Sequence, residues 1–164
     1  VSQVHYYAVQ EPCLREIKII SNGETLYLTF AVPRIERLKD YRPIFELIDP
    51  NGKVIERFNT ASVEPLSYHE KFGDTFEWIY YEKEFSTQPG TYVLRVISNG
   101  PGKFWIAVGR AEKFGLINVF TLPVTVALVR IFHEEFPIVW WGWILLAVLG
   151  LGVWGVVSHV RVGG

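Results

Sequence analysis

The chain has 164 residues, with 16 Lys and Arg against 17 Asp and Glu and a formal net charge of −1. That balance carries none of the basic footprint of a nucleic-acid binder and implies no strongly charged partner. A single cysteine, Cys13, excludes an intrachain disulfide, and fourteen glutamates against three aspartates lean toward the usage of a heat-adapted (thermophile) source.

The first 110 residues read as short strands separated by Gly and Pro turns. VHYYAV (4–9) and LREIKII (14–20) are the first two, broken at Pro12. ETLYLTFAV (24–32) alternates cleanly. Leu26, Leu28, Phe30 and Val32 point one way and Tyr27, Thr29 and Ala31 the other, the period of a half-buried strand. PRIERLKDYRP (33–43) mixes both charge signs between prolines and is expected to be an exposed loop. IFELI (44–48) and KVIERF (53–58) flank the turn DPNG and predict a hairpin. NTASVEPLSYHEKFG (59–73) is the one long irregular stretch, and loops of that length often bind something. Its expected tip, Tyr68, His69, Glu70, Lys71 and Phe72, is the candidate binding loop.

TFEWIYYEKEF (75–85), TYVLRVIS (91–98) and KFWIAVG (103–109) follow, the last two entered through the turns TQPG and NGPG. The expected fold class is mainly β, an antiparallel β-sandwich of jelly-roll or Ig-like type, in a domain covering residues 1–112. Its expected core is Leu26, Leu28, Phe30, Phe45, Leu47, Tyr92, Leu94, Val96, Phe104, Ile106 and Val108, each on the apolar phase of an alternating run. Tyr27, Tyr81 and Trp105 suit either stacking on a sugar ring or filling the sandwich, and burial favours the second.

GLINVFTLPVTVALVRIFHEEF (115–136) predicts a juxtamembrane amphipathic helix within 113–135, capped by Thr121 with Pro123 in its first turn. Asn118, Thr121 and Thr125 fall near one face, with Leu122, Val126, Val129 and Phe132 beside or opposite. Such a helix lies along the membrane interface or packs under the β-domain. A second span, forming a tight hairpin with the segment that follows, is the alternative.

FPIVWWGWILLAVLGLGVWGVV (136–157) has no charge in twenty-two positions. As a helix it reaches about 33 Å, against a hydrocarbon core of roughly 30 Å. Phe136, Trp140, Trp141 and Trp143 crowd one end, and His159 and Arg161 mark the other. A single transmembrane helix is therefore predicted over 136–160, with a short tail at 161–164. Arg161 after it and two glutamates before it predict a cytoplasmic C-terminus and an extracytoplasmic β-domain at the cell membrane. Val1 in place of an initiator Met is explained by a removed signal peptide or by a trimmed chain. Ala147, Gly150, Gly152 and Gly155 form strips of small residues, and small residues let a neighbouring helix approach closely in lipid. These strips are expected to contact another membrane subunit or a copy of the chain.

Reactive groups do not converge in the sequence. His5, His69, His133 and His159 keep no metal spacing, and His5 with Cys13 would supply two ligands at most. HEEF lacks the second His of HExxH, and no P-loop, GxGxxG or GxSxG occurs. No catalytic residue, metal or cofactor is expected.

FELIDPNGKVI, followed by QPGTYVLRVISNGPGKFWIAVG, resembles the late strands of GOLD-type and pre-peptidase-C-type β-sandwiches, over roughly residues 44 to 109. Those domains often carry a DPxG hairpin and a PGxYxLxV strand. The emp24 relatives of GOLD domains also end in a single span, with the β-domain on the non-cytoplasmic side, and act through protein contacts. The resemblance thus implies a β-sandwich with a C-terminal anchor and no catalytic residues. The family's cysteine pair, coiled coil and sorting tail have no counterpart here, so cargo reception is not implied.

Two functions remain. The first is a non-catalytic, membrane-anchored interaction protein, an accessory or scaffolding subunit of a larger membrane complex. The alternative is a surface-tethered binding module for carbohydrate or peptide, using the 59–73 loop.

Overall fold

In the computed structural model of the chain, residues 3–71, 73–109 and 116–139 are described, with 142, 147 and 151. They divide into two compact units, Val1–Glu70 with Thr75–Phe114, and Lys71–Asp74 with Gly115–Gly164.

The first unit is mainly β, and all its strand pairs are antiparallel. One sheet has the order β1 (Gln3–Val9), β9 (Gly102–Val108), β3 (Thr25–Pro33), β7 (Thr75–Ser86), β6 (Leu66–Glu70). The other has the order β2 (Cys13–Asn22), β8 (Pro89–Ser98), β4 (Ile44–Ile48), β5 (Val54–Asn59). Phe30 of the first sheet stacks on Phe45 of the second at 4.4 Å between ring centroids, so the sheets share one core in the manner of a β-sandwich.

The expected phase of the strands holds. Ten of the eleven expected core residues are buried, and Val108 packs half-buried against them. The opposite face of β3 departs from the simple pattern. Thr29 and Ala31 are buried as well, and a register shift falls between Phe30 and Ala31. β3 pairs with β9 on one side and β7 on the other, so this central strand is covered more fully than a half-buried strand.

Turn chemistry is local. The Asp49 Oδ1 accepts from the backbone N–H of Asn51 and of Lys53, and Gly52 takes φ +83° to close the β4–β5 hairpin. TQPG and NGPG have a different role. Among the described residues, only β4–β5 and β6–β7 are hairpins within one sheet, and the other connections carry the chain across to the opposite sheet.

Two expected loops are corrected. The 33–43 segment is not simply exposed: a 3-10 turn over Glu36–Leu38 directs Leu38 and, beyond it, Tyr41 into the core. The Tyr41 hydroxyl pairs with the Ser98 hydroxyl at 2.9 Å. Its ring lies where a Cβ on Gly102 would stand 2.4 Å away, so only glycine fits at the start of β9. The 59–73 segment is not one long loop either. It holds a 3-10 turn, Thr60–Ser62, and then β6.

In the second unit, α1 (Leu116–Phe132) begins earlier than expected. Thr121 is therefore inside the helix rather than its cap, and its carbonyl accepts from the Thr125 hydroxyl at 3.1 Å. Pro123 is interior. The helix closes in a Schellman motif: the Glu135 N–H donates to the Arg130 carbonyl, the Glu134 N–H donates to Ile131, and Glu134 takes φ +62°. HEEF is thus a helix terminus. Val126, Arg130 and His133 are buried, whereas Val124, Leu128 and Ile131 form an exposed apolar stripe. Among the described residues, no helix is long and apolar enough to cross a membrane. Apart from 136–139, 142, 147 and 151, the span expected over 136–160 lies outside the described residues, as does the tail at 161–164.

Candidate interaction surfaces

The outer face of the four-stranded sheet is built by register. The pairings place Glu16 beside Arg95, Arg95 beside Glu46, and Glu46 beside Arg57, so one transverse row carries a charge on each of four strands. These charges close on one another. Arg95 reaches Glu16 at 3.0 Å and Glu46 at 3.3 Å, and Arg57 reaches Glu46 at 3.4 Å. Glu46 is buried between its two arginines. Opposite charges directly across a strand pair each add a fraction of a kcal/mol. The outer ones, half in water, are worth little singly.

Apolar rows flank the charges. Leu14, Ile97 and Ile44 pair across three strands on one side. On the other side Val93, Ile48 and Val54 align, with Lys18 at the end of the row and Ile20 beyond it. Leu14 is 61% exposed, Ile20 75% and Val54 42%. Ile48 is buried and Ile44, Val93 and Ile97 are half-buried, so the exposed apolar groups stand at the margins of the face, on its two edge strands, as candidates for contact. Sequence reasoning missed the charge row, because the four charges stand at positions 16, 46, 57 and 95 and nothing local links them.

The expected binding loop fares differently. Tyr68, His69 and Glu70 belong to β6, Lys71 stands in the turn that follows, and Phe72 lies outside the described residues. Alternation along a strand sends Tyr68 and His69 to opposite faces, so they do not converge as a tip. His69 stacks on Phe76 at 4.3 Å, and the Arg34 guanidinium lies 5.4 Å over the same ring. Arg34 also donates to the Ser67 hydroxyl at 2.9 Å. β6 is an edge strand, with Leu66 and Tyr68 exposed. Such an edge can accept a further strand.

Of the aromatics weighed for sugar stacking, Tyr81 packs edge-on against Phe58 in the core and donates to the Asn59 carbonyl. Trp105 is half-buried and its indole N–H donates to Glu77 at 2.8 Å. Tyr27, on the outer face of β3, is half-buried. Among the described residues, no three His, Cys, Asp or Glu side chains are grouped to hold a metal ion. Of the small-residue strips, Ala147 is helical and exposed, and Gly150, Gly152 and Gly155 lie outside the described residues.

The second unit has one dense polar centre. The Arg130 guanidinium donates to the carbonyls of Gly73 at 2.7 Å, of Asp74 at 2.9 Å and of Phe136, and pairs with Glu135 at 3.0 Å. A planar fork of five donors suits four acceptors converging from two chain segments, 73–74 and 135–136. The buried guanidinium thereby ties the 73–74 turn and the 135–136 segment to α1.

Compared with known proteins, the chain matches no protein-family model and no curated protein.

Proposed function

We propose that the chain is a non-catalytic, membrane-anchored interaction protein, an accessory or scaffolding subunit of a membrane complex, with a GOLD-like β-sandwich as its contact domain. The observation that carries the reading is the outer face of the four-stranded sheet. There Leu14, Ile20 and Val54 stand exposed beside charges that satisfy one another. When water leaves such a face its charges keep their partners, which offsets part of the desolvation cost.

Two features support the membrane part. The uncharged run 136–157 has the length of a span. The stripe Val124, Leu128 and Ile131 is apolar on the exposed side of α1, as in a helix lying at the headgroup boundary. With 136–160 as the span, the β-domain stands outside the cytoplasm. Gly150, Gly152 and Gly155, with Ala147, then form the packing surface for a second helix.

Extraction in a mild detergent tests the proposal. A stable assembly with other membrane chains is expected, and its loss on replacing Gly152 and Gly155 with Leu. A lone chain in every detergent would refute it. The exposed β6 edge favours the second reading, a tethered module that takes an extended peptide as an added strand. A lone chain that binds extended peptides would point there.

A further inference from the structure

α1 inverts the usual arrangement of a surface helix. Its 17 residues carry one charge, Arg130, and that charge is buried. Val124, Leu128 and Ile131 are each more than half exposed, and they fall within an arc of about 60° at 3.6 residues per turn. A helix that faces water puts its charged and polar groups on that side. Thr121 and Thr125 continue the exposed side, and the Thr125 hydroxyl donates to the Thr121 carbonyl at 3.1 Å, a bond that needs no water. The exposed side therefore suits an apolar surrounding, and the chain that follows says which one. Phe136, also exposed, stands four residues after Phe132 and opens the uncharged run 136–157. Four residues reach at most about 14 Å. Where that run enters a bilayer, the end of α1 lies at the same headgroup boundary.

We infer that α1 lies in the plane of the membrane, with Val124, Leu128 and Ile131 immersed in the acyl chains of the leaflet on the β-domain's side. The inference rests on reading 136–157 as the anchor, and it names lipid as the partner of the stripe. The Arg130 contacts decide against a second span. Arg130, in the last turn of α1, holds the carbonyls of Gly73 and Asp74. Those residues join β6, which ends at Glu70, to β7, which begins at Thr75. An α1 that crossed the bilayer would carry Arg130 to the side opposite the β-domain, out of reach of that link. A helix in the plane keeps both of its ends on one side. Its buried face, with Val126, Arg130 and His133, is then covered by protein, and its exposed face by lipid. Among the described residues the exposed side of α1 carries no cation, so the immersion needs no anionic headgroup.

The test uses the full chain with Cys13→Ser, which removes its one cysteine, reconstituted in phosphatidylcholine vesicles. Val124→Cys, Leu128→Cys, Ile131→Cys and, in the exposed turn, Glu134→Cys are made one at a time, and each carries a nitroxide. Collisions with oxygen, which concentrates in lipid, and with a water-soluble nickel chelate report the depth of each label. Positions 124, 128 and 131 are expected to be reached by oxygen, shielded from nickel and set at one common depth, whereas position 134 is reached by nickel. Nickel contact at the three stripe positions equal to that at 134 would overturn the inference. So would labels shielded from both reagents, the mark of a protein partner. Positions 124 and 131 stand about 10 Å apart along the helix axis, and a depth difference of that size would mean a crossing helix and overturn it too. Flotation of the vesicles after an alkaline carbonate wash separates the two failures. A chain that does not float overturns the anchor and the inference together. A floating chain with its stripe in water or under protein overturns the inference alone.

Discussion

The Arg130 guanidinium donates to the backbone carbonyl of Gly73 at 2.7 Å, across 57 residues of chain. The same group holds the carbonyls of Asp74 and Phe136 and the carboxylate of Glu135, and it is buried. Replacing it with Met keeps much of the volume and leaves these acceptors without their donor. Buried hydrogen bonds to a charged group contribute about 1.5–3 kcal/mol, so Arg130→Met should lower stability by at least about 2 kcal/mol. Arg130→Lys should recover only part of it, because a point charge cannot serve a fork of acceptors. Denaturant midpoints of the two variants check this.

Gly102 and Tyr41 make a second test. An added Cβ would meet the Tyr41 ring at 2.4 Å, and that ring is held by its hydroxyl contact with Ser98. Gly102→Ala should destabilise by about 1–3 kcal/mol through overpacking. In a Tyr41→Leu background the same change should cost much less. Additive losses in the double-mutant cycle would show that the ring is not what glycine accommodates.

Glu134 holds φ +62° at the end of α1 in the position that glycine usually fills. Glu134→Gly should exceed Glu134→Ala in stability by about 1 kcal/mol, since both lose the side chain and only alanine keeps the left-handed penalty. Thermal unfolding of the pair measures the difference.

Alkaline pH should weaken the β-unit. Burial pushes the phenols of Tyr7, Tyr41 and Tyr80 up from their ordinary value. Arg15 partly offsets the shift at Tyr7, the Ser98 hydrogen bond at Tyr41, and Arg42 at Tyr80. The unfolded chain therefore releases these protons first. The stability linked to them is fully present below the unfolded value of about 10 and is lost as pH rises through the higher folded values. Denaturant midpoints measured from pH 8 upward should fall beyond pH 10, and Tyr41→Phe with Tyr80→Phe should flatten that fall. An unchanged slope would refute the assignment.

The strands and the core were legible in the sequence because a half-buried strand writes its burial into every second residue. Leu26, Leu28 and Phe30 needed no knowledge of their neighbours. DPNG likewise carried its own turn, since Asp49 and Gly52 act within four residues. β6 left no such mark. It is an edge strand with almost no buried face, and LSYHE therefore does not alternate. Thr121 suggested a helix start because capping residues also occur inside helices, where the hydroxyl or carbonyl simply joins the local ladder. What only the tertiary structure decided is which strands are neighbours. Glu16, Glu46, Arg57 and Arg95 become one row solely because β2, β8, β4 and β5 pair in that order and register. Pairing between strands far apart in the chain depends on the whole core closing at once, so no local pattern of residues encodes it.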